Sequence, residues 1–195
     1  MRRGTGRAVV AVVSMLALAG CTGESANPPT TPEVTSPAPS PTETATPTPT
    51  PDAATPPERP DMSAFDTETA EAVALYFLQL FPYVYATGDL VDWNLLSHPE
   101  CIHCASVRTG VEEMLAAGNH SEGGLFSIEN VSTAQVSADW WHVTLNAVQE
   151  PSSTVGGDGA HVEEFPEQKT YRVDIAVVVE AGHWLVRGVE HNPTT

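Results

Sequence analysis

Basic side chains are scarce in this sequence. Its 195 residues carry 8 Lys and Arg against 25 Asp and Glu, a formal net charge of −17. Arg2, Arg3 and Arg7 precede Cys21 and no acidic residue does, so the chain after Cys21 carries −20. Within 61–195 only Arg108, Lys169, Arg172 and Arg187 stand among 20 acidic residues. Such a surface repels phosphate, which excludes nucleic acid as a partner and adsorption to anionic head groups. Long apolar runs are also missing. The longest, Ala8 to Ala19, is too short to cross a hydrocarbon core of roughly 30 Å, which takes about 20 helical residues. Cysteine is rare, with three residues, and the seven histidines show no metal-ligand spacing. No metal and no cofactor are therefore expected. The length suits one domain with tails and excludes a two-lobed solute-binding protein.

What is present starts with an export signal. Arg2, Arg3 and Arg7 lead into the apolar run, which has the length of a signal-peptide core. It ends in Leu18-Ala19-Gly20-Cys21, which resembles the bacterial lipobox. That resemblance implies cleavage before Cys21 and acylation of its thiolate. Two or three acyl chains anchor a protein stably where one would not. The expectation is a lipid-anchored protein on the extracytoplasmic face of the cell membrane, with 1–21 as its leader.

Residues 22–60 hold twelve of the 17 prolines and ten threonines, with Val34 the only large apolar side chain. They cannot bury enough surface to offset the entropy of ordering, so a disordered tether is expected that gives no core residue. A flexible coil of 39 residues reaches roughly 35 Å, and full polyproline II roughly 120 Å.

The folded domain is then 61–195. Val73, Phe77, Leu80 and Val84 recur with helical spacing, with Asp66 as N-cap, Gly88 as stop and a kink near Leu78 expected from Pro82. Short helices are expected over 90–96 and about 101–117, the latter placing Val107, Val111, Met114 and Leu115 on one face. Beyond Gly123 the period becomes two, with strands expected over 125–135, 140–149, 171–179 and 184–189. Pro151–Gln168 reads as a long mobile loop. Helices followed by an antiparallel meander make this an α+β protein, with N-terminal helices packed on a four-stranded sheet.

Three segments carry a family resemblance: Tyr83-Val84-Tyr85-Ala86-Thr87-Gly88-Asp89, Cys101-Ile102-His103-Cys104 and Trp184-Leu185-Val186. Over roughly 64–190 the chain resembles actinobacterial lipoproteins with a domain of unknown function, near the cone-shaped nuclear-transport-factor-2-like (SnoaL-like, cystatin-like) folds. The resemblance implies a curled sheet under helices, enclosing a conical cavity. It implies no agreed activity.

Cys101 and Cys104 are the sharpest chemical feature. They are the only thiols left after Cys21, in an oxidising compartment, which favours a structural disulfide. A redox role is the rival, since His103 stands before the second cysteine and can stabilise a thiolate. A metal would need further ligands, for which His98 and His103 are nearest. On the strands, His142, Asp174 and Asp139 form a candidate acid–base set, and Trp140, His142 and Asp174 a candidate pocket. Trp140 and Trp141 put one indole on each face of their strand. The leading functional expectation is a non-enzymatic binding or interaction module, its partner an unknown cell-envelope protein or small ligand. The alternatives are a small-pocket SnoaL-like hydratase or isomerase and a thiol redox protein.

Overall fold

The structure, a computed structural model, describes residues 52–194. Cys21, the leader and most of the tether lie outside them.

Helix α1 (Thr67–Thr87) starts where Asp66 accepts the Thr69 N–H at 2.9 Å, and that bond holds the Asp66 carboxyl below the usual carboxylate range. It runs through Pro82 as one helix. Proline has no N–H to give Leu78, so one carbonyl loses its partner while the helix continues. Gly88 ends it in the left-handed region, φ 75°, with its N–H on the Val84 carbonyl. A Cβ there would stand 2.4 Å from Leu115 Cδ1, so glycine answers both backbone and packing demands. Helices α2 (Val91–Leu96) and α3 (Ile102–Ala116) follow. Val107 and Val111 of α3 are buried as expected, whereas Leu115 is largely exposed.

Seven strands follow: β1 (Asn119–Gly123), β2 (Phe126–Ser137), β3 (Trp140–Gln149), β4 (Ser152–Gly156), β5 (His161–Phe165), β6 (Lys169–Glu180) and β7 (His183–Pro193). The expected antiparallel four-stranded sheet is present in the order β2-β3-β6-β7. A second, three-stranded sheet in the order β1-β4-β5 takes up much of the segment read as a loop. Its strands carry no apolar alternation, and β1, Asn-His-Ser-Glu-Gly, has no apolar side chain at all. Pairing with a neighbour, rather than burial of one face, makes them strands. The fold is thus α+β, three helices on antiparallel sheets, with α1 touching strands of both.

The core lies between the helices and the inner face of the larger sheet. Trp141, Val143, Leu145 and Ala147 of β3 face Val173, Ile175 and Val177 of β6, all essentially buried. Phe77 stacks on Trp93 with centroids 4.1 Å apart, and Trp141 meets Trp184 at 5.0 Å. Each buried indole N–H has an acceptor: Trp93 on the Cys104 carbonyl, Trp141 on Thr67 Oγ1, Trp184 on the Ala64 carbonyl.

Part of the segment read as tether belongs with the domain. Ala53 is only 4% exposed. Arg59 Nη1 donates to Asp92 Oδ1 at 2.9 Å, and Asp92 also accepts the Tyr76 hydroxyl. Composition reports average burial over a window and is blind to one buried methyl and one guanidinium.

Candidate functional site

Three loci gather chemically capable side chains. The first is a cavity of about 110 Å³ between helices and sheet. Leu78, Phe81, Phe126, Val173 and Val189 make its apolar walls, and His103, Gln149, Tyr171 and His191 its polar groups. His103 comes from the first turn of α3, between the two cysteines. The Cys101 and Cys104 sulfurs are bonded, with Cα atoms 5.2 Å apart, and Cys101 Sγ caps the helix by accepting the Cys104 N–H. Both cysteines are buried, so the turn that carries His103 is held from within.

Tyr171 and His191 come from the facing inner sides of β6 and β7. His191 reaches that side through a bulge. Ala176 pairs with Gly188 and Val177 with Val186, which leaves Arg187 as an extra residue and shifts the alternation of all that follows. The His103 and His191 rings then lie 5.5 Å apart, and Tyr171 is 5.9 Å from His191, edge on. Burial among apolar walls, and secondarily the charge of His191, push the His103 imidazole down to about 4. At neutral pH His103 is therefore an uncharged group that donates one hydrogen bond and accepts another. A base so weak is poorly matched to proton abstraction near pH 7.

The second locus is at the far end of the β6–β7 hairpin. His98 is buried, its Nδ1 accepts the Glu100 N–H at 3.0 Å, and its Nε2 stands 3.2 Å from both Glu180 oxygens. An Nδ1 that accepts leaves the proton on Nε2, which donates to the carboxylate. The bulged Arg187 closes the group by donating to Glu100 and standing 3.6 Å from Glu180. Arg187 Nη1 also stands 3.3 Å from His98 Nε2, so two donors share the Glu180 carboxylate in this latch between the α2–α3 loop and the hairpin.

The third locus is the expected acid–base set. His142 Nε2 does lie 3.5 Å from Asp174 Oδ1, but on the sheet face turned away from the helices. The Thr144 hydroxyl, donating at 2.7 Å, and then Arg172 hold Asp174 below the usual carboxylate range. Trp140 is 40% exposed on the same face, whereas Trp141 is fully buried. Trp140, His142 and Asp174 therefore do not line the cavity, and their pocket assignment is corrected. Asp139, in the β2–β3 turn, accepts the Ser137 hydroxyl. His98 and His103 do not converge on a metal: among the described residues no cluster of three potential ligands occurs.

Of the polar groups that do line the cavity, two were legible in the sequence. Tyr171 stands on the apolar side of its strand, and that was the available signal. His103 drew attention through its cysteines, and nothing in the sequence marks His191 or Gln149.

Solved structures share this architecture at low identity. The intermembrane-space region of the chloroplast protein ARC6 aligns with a TM-score of 0.50 at 9% identity, over 67% of this chain and 99% of that one. An uncharacterised cystatin-like protein from Caulobacter vibrioides aligns at 0.43 and 8%, over 65% and 90% of the two chains. A nuclear-transport-factor-2-like protein of Rhodospirillum rubrum aligns at 0.42 and 16%, over 62% and 98%. None of the curated proteins matches the sequence. Through residues 42–190 the chain belongs to the family of unknown function DUF6318.

Proposed function

We propose that this protein is a lipid-anchored, extracytoplasmic binding module of a bacterial envelope, acylated at Cys21 and non-enzymatic. Its ligand is a small, mostly apolar molecule or side chain with one hydrogen-bonding group, presented by an envelope partner or free in solution. The observation that carries this reading is the lining of the 110 Å³ cavity, apolar walls with four uncharged-capable polar groups. Among the described lining residues there is no carboxylate to orient or charge an imidazole. A cavity of about 150 Å³ holds a benzene ring, so this one suits a slightly smaller group, or the end of a larger ligand. Binding of small phenols and alcohols to the full chain, followed by calorimetry, tests the reading. Uptake should be lost in Val189→Phe, which fills the cavity, and weakened in Tyr171→Phe. Uptake unchanged in Val189→Phe would place the site elsewhere.

A second reading, a small-pocket hydratase or isomerase, draws on the juxtaposition of His103, His191 and Tyr171. It requires turnover whose rate rises with a protonic step near the His103 titration. A thiol redox role is disfavoured by the burial of both cysteines.

A further inference from the structure

Beside the cone cavity, with Phe81 and Gln149 as the shared partition, lies a larger cleft of about 330 Å³. One wall is the second half of α1, where Phe81 and Tyr85 present their rings. The opposite wall is the β4–β5 arm and the strand that follows it, with Phe165, Glu163, Glu167 and Lys169. The arm is brought over the helix at Gly123, whose φ of 76° and approach to the Pro151 carbonyl exclude a Cβ.

Three features of the cleft point to one chemistry. Its volume falls in the range of small-molecule sites, about 300–1,000 Å³. Glu150, Glu163 and Glu167 give it three carboxylates against one ammonium, and neither Glu163 nor Glu167 takes part in an ion pair among the described residues. The molecule also places a cation there itself: Lys169 Nζ sits over the Phe165 ring, 5.6 Å from its centroid. A ring face inside a negatively charged, partly apolar recess is the environment that attracts alkylammonium groups. Metal ions need converging oxygen ligands, and among the described residues no such cluster is found. An organic cation, whose charge is spread over methyl or methylene groups, needs only ring faces and nearby carboxylates.

We propose that this cleft is a binding site for an aliphatic ammonium group, with Phe165 and Tyr85 as its aromatic walls and Glu163 and Glu167 as its counter-charges. Lys169 is the internal occupant that an incoming ammonium displaces. The overall charge of −20 beyond Cys21 concentrates such cations near the surface before they enter.

Calorimetry on the full-length chain tests the proposal with two probes, tetramethylammonium and lysine amide. The uncharged tert-butanol serves as the comparison of similar shape, and the comparison is made in Val189→Phe, where the first cavity is filled and alcohol uptake there is removed. At least one ammonium should bind roughly tenfold more tightly than the alcohol, the combined scale of one exposed cation–π contact and one screened ion pair. Which of the two binds tells a free quaternary amine from a lysine side chain of a partner. The double variant Glu163→Gln/Glu167→Gln should weaken binding several-fold, and Lys169→Met should tighten it by vacating the ring. The control Glu129→Gln/Glu190→Gln removes the same charge from the outer face of the larger sheet and should change nothing. Equal affinity for ammonium and alcohol would overturn the site. So would equal losses in the two double variants, which mean bulk attraction to an acidic surface, or weaker binding in Lys169→Met. Circular dichroism of each variant confirms that it is folded, and alcohol binding to the chain with Val189 intact reads the first cavity separately.

Discussion

The imidazoles of His103 and His191 meet edge to face in the lining of the 110 Å³ cavity, their planes at 67°. One ring is aimed by a disulfide-locked helix start, the other by a bulge in the last strand. The two features lie far apart in sequence and have no reason to meet except in the folded chain.

Burial holds His103 near 4, while its unfolded value lies near 6.5. Between those values the unfolded chain binds a proton that the folded chain does not, so stability falls as the pH drops through the window. Denaturant midpoints measured from pH 7 to 4 should fall. In His103→Gln that acid limb should flatten, and a parallel fall in both proteins would show that other groups cause it.

The disulfide closes a very short loop, so replacing both cysteines, Cys101→Ser/Cys104→Ser, should cost about 2 kcal/mol by the loop-entropy relation. Because both sulfurs are buried, mild reductant should leave the native bridge intact and reduce it only after unfolding. Mass spectrometry after alkylation reads the difference. Rapid reduction of the folded protein would restore a redox role to consideration.

The His98 latch separates two kinds of polar contact. His98→Ala strands the Glu100 N–H and removes a donor from Glu180, and should cost roughly 1–3 kcal/mol. Arg187→Ala breaks ion pairs whose partners are largely exposed and should cost less than about 1 kcal/mol. Urea unfolding of the two variants gives the order, and a reversed order would show that the arginine, not the histidine, holds the hairpin.

A chain that begins at Asp61 loses the buried Ala53 and the Arg59–Asp92 pair. One methyl and one half-exposed pair together are worth about 1 kcal/mol, or roughly 3–5 °C in Tm for a domain of this size. A chain that begins at Asp52 should keep the full midpoint. If both melt together, residues 52–60 contribute nothing.

Much of the architecture could be read from periodicity, because burial of one face imposes a period on the sequence. The stripe Val73-Phe77-Leu80-Val84 marked α1, and alternation about Trp141 and Ile175 marked the two central strands. The two cysteines left after Cys21, in the expected oxidising compartment, are the pair that the structure bonds. Local rules also located both ends of α1, since Asp66 and Gly88 act within one turn of themselves.

What escaped was decided by pairing across distance. The sheet β1-β4-β5 buries little, so its strands carry no period, and only hydrogen bonding creates them, β1 with β4 about thirty residues away and β4 with β5 across a short turn. The phase of β7 is the clearest case. Counting by two from Trp184 and Val186 puts His191 on the outer face, but the extra residue Arg187 turns it inward to meet Tyr171. His142 and Asp174 show the reverse. Their alternation with Trp141 and Val173 puts them together on the polar side of their strands, and the helices cover the apolar side, so the pair stays outside the cavity. Side-chain period, and with it the face to be covered, is a property of one strand, whereas the position of a bulge and the pairing of unpatterned strands belong to the contact between elements.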